Sequence, residues 1–375
     1  MKITIASDSF KGSASSLEVA KAMERGIHRV DPTVICDKFP VADGGEGLIA
    51  TLQQEGDEEV TITVHGPLFE KRQASYLRRG KLAIIEMATA SGLPLVPISQ
   101  RNPMDTTSLG TGELILDALQ KGCDDLIVGI GGSATNDCGI GMATALGALF
   151  YDKEGTIVIP TGKNISSIAS IDTSRMHPAL ANAKIRVACD VDNPLCGPNG
   201  ASAIYGPQKG ATPEMVAILD SAMDTFSKIM EKQELADYPG AGAAGGLGFA
   251  LMTFANAQLE SGIALVLSVI GMEESLKSAT LCFTGEGKID GQSKCGKVPV
   301  GIAKLAKKYN VPVIAFAGDI GNGTESLYEL GINAIVSTTN AAMPLEKAMA
   351  RSLELTEDAA FRTFHLIRTC MELRC

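Results

Sequence analysis

Acidic and basic side chains recur within short glycine-rich segments of this chain. The segment TGEGKIDGQS places Glu286, Lys288 and Asp290 on alternate residues. Carboxylate oxygens are the ligands that Mg²⁺ prefers, and an ammonium group neutralises phosphate. An isolated charged turn is more often only solvated, but the flanking glycines allow a ligand to approach the backbone. The pattern therefore favours metal–phosphate chemistry, with Glu286 and Asp290 as candidate metal ligands.

The next segment, GQSKCGKV from Gly291 to Val298, is one residue short of a P-loop. A P-loop carries Ser or Thr after its lysine to ligate Mg²⁺, and Val298 stands in that position. The segment EGKID also separates it from the preceding strand, which excludes a P-loop. A helix is predicted over PVGIAKLAKKY, and its unpaired first-turn N–H groups favour an anion. Lys297 is therefore a candidate phosphate-binding residue, with an ordinary surface lysine as the alternative.

Two loops near the N-terminus carry further charged residues. SDSFKGS contains Asp8, Ser9 and Lys11, and ADGGEG contains Asp43 and Glu46. Asp or Ser before a helix is usually an N-cap, and a charged pair on two glycines is usually a turn. Each loop follows a predicted strand, however, so both are expected at one edge of the same sheet.

The segment GIGGSATND follows the predicted strand DLIVG and fits G-x-G-x-x-A loosely. A dinucleotide site would need an acidic residue about twenty positions later on a βαβ strand, and no such strand is evident. A backbone cradle for phosphate or carboxylate explains the segment better. Its candidate binding residues are Gly131, Gly132, Ser133, Asn136 and Asp137. PGAGAAGGLG also fits G-x-G-x-x-G, but no strand precedes it.

Asp190 and Asp192 lie at the end of the predicted strand KIRVACDV. Either carboxylate could serve as a general base or as a metal ligand. The chain has no G-x-S-x-G or HExxH segment, and its four His lie in unrelated settings. A serine hydrolase and a zinc enzyme are therefore disfavoured. Glycine loops with Asp, Glu and Lys suit phosphoryl transfer, whose catalysis is mostly positioning and charge stabilisation.

Five short β-rich segments near the two ends of the chain predict a flavodoxin-like doubly wound parallel sheet of five buried strands. They are ITIAS, VICDKFP, TLCFTG, VPVIAFAG and NAIVST, with helical patterns between them. In the order 2-1-3-4-5, the ligand crevice lies beyond the carboxyl ends of strands 1 and 3. Those ends carry SDSFKG and TGEGKID.

The middle of the chain predicts a second α/β domain with a mixed sheet. VTITVHG, QASYLRR and KLAIIEMA are strands joined by short turns, GTGELILDALQKG is a helix, and DLIVGIGG and KIRVACDV are further strands. We therefore expect residues 1–60 and 265–375 to form a discontinuous flavodoxin-like domain that is interrupted by an inserted domain, residues 61–264. The active site is expected in the cleft between them.

Composition limits the partners. The chain has 375 residues and a formal net charge of −10, which disfavours nucleic acid and anionic membranes. No stretch approaches the roughly 20 apolar residues of a membrane span. The N-terminus lacks a signal-peptide pattern, and the nine Cys form no CxxC pair, so we expect a cytoplasmic protein with reduced thiols.

Together these motifs resemble the type-1 glycerate kinase family. DSFKGS, ADGGEG, TTSLGTGELILDAL, GIGGSATNDCG, ACDVDNPLCGPNGASAIYGPQKGATPEM, PGAGAAGGLG and TGEGKIDGQSKCGKVPVG occur in the family's order. The resemblance implies ATP-dependent phosphorylation of D-glycerate, usually at the 2-hydroxyl, in glycolate, glucarate or glyoxylate breakdown. It also implies Mg²⁺ and the two-domain fold described above.

The resemblance extends to individual residues. The positions that match the family's loops are Asp8, Ser9, Lys11, Asp43, Glu46, Gly131, Gly132, Ser133, Asn136, Asp137, Asp190, Asp192, Asn193, Glu286, Asp290 and Lys297. Three positions depart from the family pattern: Ser7 replaces a common proline, Cys138 a common glycine and Cys295 a frequent arginine.

Roles follow from residue type. An aspartate, Asp190 first and Asp192 next, would take the proton of the attacking hydroxyl. Lys11 and Lys297 would neutralise the carboxylate and the phosphate, and Glu286, Asp290 or Asp8 would position Mg²⁺. Two alternatives stay open: a kinase for another small hydroxy acid such as tartronate, and a non-catalytic sugar-acid or nucleotide sensor. The residues favour neither a monomer nor a homodimer.

Overall fold

A computed structural model of the chain describes residues 1–41, 47–294 and 297–373. The strands in the described residues are β1 (Lys2–Ser7), β2 (Ile35–Pro40), β3 (Glu58–His65), β4 (Lys71–Arg79), β5 (Leu82–Glu86), β6 (Asp125–Gly129), β7 (Leu149–Tyr151), β8 (Ser170–Asp172), β9 (Lys184–Ala188), β10 (Gln258–Glu260), β11 (Leu281–Ile289), β12 (Val313–Ile320) and β13 (Ala334–Ser337).

The α-helices in the same residues are α1 (Ser16–His28), α2 (Leu48–Leu52), α3 (Ala88–Ser91), α4 (Leu109–Gln120), α5 (Ile140–Ala145), α6 (Ala201–Tyr205), α7 (Pro213–Ile229), α8 (Gln233–Ala236), α9 (Ala243–Ala255), α10 (Gly262–Val269), α11 (Met272–Leu276), α12 (Val298–Lys308), α13 (Glu325–Glu329), α14 (Leu345–Ala350) and α15 (Ser352–Glu372). None of them is long and apolar enough to span a membrane.

The chain divides into two compact units. Unit 1 comprises Met1–Gly47 and Ile263–Cys375, and unit 2 comprises Leu48–Gly262. The second crossing lies close to the expected residue 265, but the first comes well before the expected residue 60. The reason is α2, whose Ile49 N–H donates to the Glu86 carboxylate at the end of β5, 3.0 Å away. This contact joins α2 to the sheet of unit 2.

The sheet of unit 1 has the strand order β13-β12-β11-β1-β2, and its neighbouring strands are parallel. Counted within the unit, this is the order 2-1-3-4-5, which confirms the flavodoxin-like prediction. The inner strands hold the core, where the Phe283 and Phe316 rings meet edge to face at 4.9 Å. The prediction of five buried strands is wrong for β2 and β13, which are edge strands with partly exposed side chains.

Helices α1 and α15 pack closely on each other in unit 1. Gly26 makes this approach feasible, because a Cβ atom there would lie 2.3 Å from the Glu357 carbonyl oxygen. Helix α1 begins with a capping box, in which Ser15 and Glu18 satisfy each other's backbone N–H groups. The helix therefore has a fixed start immediately after the loop SDSFKGS.

Unit 2 contains a six-stranded mixed sheet of order β10-β9-β6-β5-β4-β3. Strands β3, β4 and β5 are antiparallel, and β5, β6, β9 and β10 are parallel, as the sequence predicts. The strand β9 ends at Ala188, so the residues that follow it are free to leave the plane of the sheet.

A left-handed segment interrupts α9. Ala244, Gly245 and Gly246 have φ of 52°, 69° and 88°, and Gly245 accepts a hydrogen bond of 3.0 Å from Cys138 N–H. Cys138 itself has a φ of 50°. The cysteine therefore occupies a conformation that glycine adopts without strain, which accounts for the glycine expected at this position.

Replacing Gly245 with Ala should lower the free energy of unfolding by about 2–5 kcal/mol, from overpacking and left-handed strain together. The new Cβ would lie 2.1 Å from the Thr135 carbonyl oxygen. The matched control is Gly80→Ala, because Gly80 has a φ of 59° and open space around it. Only the strain, about 1–2 kcal/mol, applies there. Equal losses in urea unfolding would show that the packing against Thr135 contributes nothing.

Candidate functional site

A cavity of about 510 Å³ opens at the carboxyl ends of β1, β11 and β12 in unit 1. Its charged and polar lining includes six of the predicted site residues: Asp8, Ser9, Lys11, Glu286, Asp290 and Lys297. Strand β11 runs to Ile289, so Glu286 and Lys288 belong to the strand and not to the loop after it. The crevice position expected for this strand order is therefore where these side chains meet.

Glu286 and Lys297 form an ion pair in this cavity. Lys297 Nζ donates to Glu286 Oε1 at 2.6 Å, and the carboxylate is mostly buried while the lysine is about one-third exposed. Lys297 immediately precedes α12, which begins at Val298 and has proline in its first turn. The ammonium group is thus fixed beside the first turn of a helix, which favours anions through its unpaired N–H groups.

Asp8 lies almost fully buried at the end of β1. Its Oδ1 accepts a hydrogen bond of 2.7 Å from Ser9 N–H, and its own N–H donates to the Gly285 carbonyl at 2.9 Å. The Ser7 hydroxyl donates to the same carbonyl at 3.1 Å. Serine in place of the expected proline therefore adds a link between the loop after β1 and strand β11.

The carboxylates of Asp8, Glu286 and Asp290 supply hard oxygen donors to one cavity, which fits Mg²⁺ in ligand type. They do not place three ligand oxygens within 4.8 Å of one another. Mg²⁺ usually keeps several waters and uses only one or two carboxylates. The donor set therefore suits a magnesium ion held partly by water and phosphate, and not a closed protein cage.

Glu24, His28 and Cys36 do bring three ligand atoms within 4.8 Å. Lys38 already pairs with Glu24, and His28 Nε2 lies 3.0 Å from the Val34 carbonyl oxygen. Burial, followed by the charge of Glu24, raises the pKa of the Cys36 thiol to about 12. An ammonium group beside the cluster and a protonated thiol disfavour a cation there.

In unit 2, the glycine loop after β6 presents exposed backbone at Gly131 and Gly132. Two hydrogen bonds hold the loop: Leu93 N–H donates to the Gly132 carbonyl at 2.8 Å, and Ala134 N–H donates to the Ser91 carbonyl at 2.9 Å. A fixed loop with exposed glycines is suited to bind an anion through its N–H groups.

Asp137 is completely buried. Its carboxylate accepts hydrogen bonds of 2.7 Å from both the N–H and the hydroxyl of Ser108, and of 3.2 Å from the N–H groups of Gly139 and Gly141. Burial raises its pKa although these bonds act in the opposite direction. The structure therefore uses Asp137 to join the start of α4 to the segment before α5, and its carboxylate does not face a ligand-accessible surface.

Asn136 is also completely buried, and its Nδ2 donates to the Ser202 hydroxyl at 2.8 Å. Its side chain, like that of Asp137, faces the interior of unit 2. Both are candidate ligand contacts in the sequence, and the structure gives each carboxylate or amide group a hydrogen-bond partner inside unit 2.

Lys209 is a buried residue that is not among the sequence-predicted site residues. It is 2% exposed, and its Nζ donates at 2.7 Å to both the Ser133 hydroxyl and the Thr135 carbonyl. Burial lowers the pKa of this lysine to about 7, although the charge of Asp137 acts to raise it. A lysine between glutamine and glycine in a loop is normally exposed, so no local signal marks it.

Asp190 and Asp192 are exposed in the loop after β9. Asp190 Oδ1 accepts a hydrogen bond of 2.8 Å from the N–H of Gly262, the last residue of unit 2. The side chain of Asn193 is used within the loop, since its Oδ1 accepts from the Tyr205 hydroxyl at 2.5 Å and its Nδ2 donates to the Asn199 carbonyl at 2.8 Å. Asp190 therefore has a fixed orientation and a solvent-facing carboxylate.

The remaining predicted site residues, Asp43 and Glu46, lie outside the described residues, as does Cys295.

The comparison with known proteins decides the family. The model of the glycerate kinase family matches residues 3–368. The chain belongs to the glycerate kinase family. It is 48% identical over 366 residues to the glycerate kinase of Bacillus subtilis (strain 168), covering 96% of each chain. It is also 48% identical over 354 residues to the glycerate 2-kinase of Escherichia coli (strain K12), covering 93% of each.

A solved structure from Salmonella typhimurium LT2, assigned as glycerate kinase 2, has the same fold. Its TM-score to this chain is 0.81, with 43% identity and coverage of 99% of both chains. The agreement supports the α/β architecture of this glycerate kinase family member.

Proposed function

We propose that this protein transfers the γ-phosphoryl group of ATP to the 2-hydroxyl of D-glycerate and produces 2-phosphoglycerate. The observation that carries the proposal is the cavity of unit 1, which is lined by two lysines and three carboxylates in a member of the glycerate kinase family: Lys11, Lys297, Asp8, Glu286 and Asp290. The relative from Escherichia coli that is named glycerate 2-kinase supports the choice of hydroxyl.

Asp8, Glu286 and Asp290 would hold Mg²⁺ in this cavity. The bound ion would neutralise charge on the phosphate oxygens of ATP. Lys11 and Lys297 would bind phosphate oxygens beside it. Glu286 fixes the ammonium group of Lys297 at 2.6 Å, so this contact needs no reordering of a flexible side chain.

Unit 2 would bind and activate the acceptor. The exposed backbone at Gly131 and Gly132 would bind the carboxylate of glycerate or a phosphate oxygen, and Ser133 would contribute its hydroxyl. Asp190 would accept the proton of the attacking 2-hydroxyl at its carboxylate, which Gly262 N–H orients from one side. Asp192 is the second candidate for this role.

The test is an ADP-release assay with ATP, Mg²⁺ and D-glycerate, with the phosphate position of the product identified by ³¹P and ¹H NMR. We expect 2-phosphoglycerate. Formation of 3-phosphoglycerate would retain the kinase and contradict the assigned hydroxyl. Absence of turnover with ATP still bound would favour another hydroxy acid, which tartronate would test first, and then a sensor.

A further inference from the structure

The cavity of unit 1 has two chemically different sides. Its charged side is formed by the strand ends described above. Its other side includes Leu345, Ala348 and Met349 from α14 and Leu355 from α15. We call Leu345, Ala348 and Met349 the apolar wall. Phosphates and carboxylates gain nothing from such a surface, so the wall suits a different part of a ligand.

The size of the cavity also exceeds what a three-carbon acid needs. At about 510 Å³, it lies within the range of about 300–1,000 Å³ that is typical of sites for drug-sized ligands. A nucleotide has this size, and it combines an apolar, flat base with a charged phosphate chain. The two sides of the cavity match these two parts.

The exposure of Leu345 also favours a nucleotide as the ligand of this cavity. This leucine is 72% exposed although it lines a cavity. Next to it, Met349 is partly buried, and its terminal methyl would lie 3.1 Å from a Cβ atom at Gly12. The wall thus stands against the loop that carries Lys11. An exposed apolar surface beside a charged one is what a nucleotide would cover.

We propose that the apolar wall binds the purine ring of the nucleotide and that its phosphates extend toward Lys11 and Lys297. This inference rests on the proposed function and assigns the nucleotide to unit 1. The hydroxyl groups of Thr338, Thr339 and Ser352 also line the cavity and can hydrogen-bond to the ribose or the edge of the base.

A second cavity, of about 740 Å³ in unit 2, fits a nucleotide less well. It lies around β10, and its charged lining consists of Lys232, Glu234 and Glu260. Lys232 lies 3.9 Å from Glu234, so the cavity has no excess of positive charge for a triphosphate. It also contains none of the predicted site residues.

The test measures ADP binding and tripolyphosphate binding to the full chain by calorimetry in the presence of Mg²⁺. Tripolyphosphate carries the phosphates without the nucleoside. We expect Leu345→Asn to weaken ADP binding by at least about fivefold, or about 1 kcal/mol, and to leave tripolyphosphate binding unchanged. Asparagine adds no charge, so the phosphates are not repelled. The matched control is Leu366→Asn, because Leu366 is 64% exposed on α15 and does not line the cavity.

Ala348→Phe is a second variant, in which the phenyl ring would occupy the part of the cavity beside the apolar wall. It should weaken ADP binding by more than tenfold and again spare tripolyphosphate. Unchanged ADP binding in both variants, equal weakening of both ligands, or no ADP binding by the unaltered protein would each overturn the inference. These measurements need no glycerate. A selective loss of ADP binding would therefore uphold the inference even if the protein does not phosphorylate glycerate. Absence of glycerate phosphorylation would contradict only the proposed function.

Discussion

Replacing Asp190 with Asn should lower the turnover of D-glycerate by about 10²–10⁴-fold, the usual contribution of a general base. An amide cannot accept the proton of the attacking hydroxyl. It can still accept the hydrogen bond that Gly262 N–H now donates to Asp190 Oδ1 at 2.8 Å. The fold and ADP binding should therefore change little. Steady-state kinetics, calorimetry with ADP and urea unfolding measure the three quantities.

Two further variants separate catalysis from structure. Asp190→Ala also removes the acceptor for Gly262 N–H, so it should cost about 1 kcal/mol of stability in addition to the loss of turnover. Asp192→Asn removes a neighbouring exposed carboxylate and should retain most of the turnover. Near-normal turnover of Asp190→Asn would exclude Asp190 as the base, and a larger loss in Asp192→Asn would transfer the role to that residue.

The sequence predicts the sheet of unit 1 well because its strands are short apolar segments that end in glycine-rich loops. Parallel strands place their carboxyl ends at one edge, so Asp8 and Glu286 could be expected together. The Ser7 hydroxyl at the end of β1 donates to the Gly285 carbonyl within β11, although these two residues are 278 positions apart in the sequence. The prediction was less accurate at the end of β11. Charged residues at alternate positions there indicate a loop. The strand continues instead, and because successive side chains of a strand point to opposite faces of the sheet, it sets the direction of the charged side chains that it carries.

Burial of polar residues could not be predicted in the same way. Asp137 owes its interior position to Ser108, 29 residues away, and Lys209 to Ser133, 76 residues away. Local sequence shows a charged side chain beside glycines in both cases, which is typical of a ligand contact or of an exposed turn. Whether such a side chain contacts a ligand, stays exposed in a turn or is buried as part of the core depends on the packing of segments that are distant in the sequence.

Lys209 should make the stability of the protein depend on pH. In the unfolded chain, Lys209 keeps its proton up to the ordinary pKa of 10.5, whereas burial lowers the pKa in the folded chain to about 7. The unfolded state therefore binds more protons between pH 7 and 10.5, and the free energy of unfolding rises with pH in that range. For this lysine the rise from pH 7 to pH 10 is roughly 3–4 kcal/mol.

Replacing Lys209 with Met should remove this rise. We expect the difference in unfolding free energy between the natural protein and Lys209→Met to shift by roughly 3–4 kcal/mol in favour of the natural protein between pH 7 and pH 10. Urea unfolding of both proteins at several pH values measures this shift. Subtracting one unfolding free energy from the other cancels the contribution of the groups that titrate in the same way in both proteins. The control is Lys228→Met, because the side chain of Lys228 is 58% exposed and pairs with Asp224 on the same helix. Parallel pH dependences of the natural protein and Lys209→Met would show that Lys209 keeps its proton in the folded state.

The two hydrogen bonds of Lys209 explain how the fold tolerates this lysine. A neutral amine has two N–H groups, enough for both the Ser133 hydroxyl and the Thr135 carbonyl, each 2.7 Å from Nζ. The third proton of an ammonium ion would add charge to a buried position without being needed for either contact. When the side chain loses this proton it becomes neutral, so it can hold the glycine loop with a smaller desolvation cost. Methionine would fill the space but leave that hydroxyl and that carbonyl without their donor, so Lys209→Met should also raise the KM for glycerate if the loop binds its carboxylate.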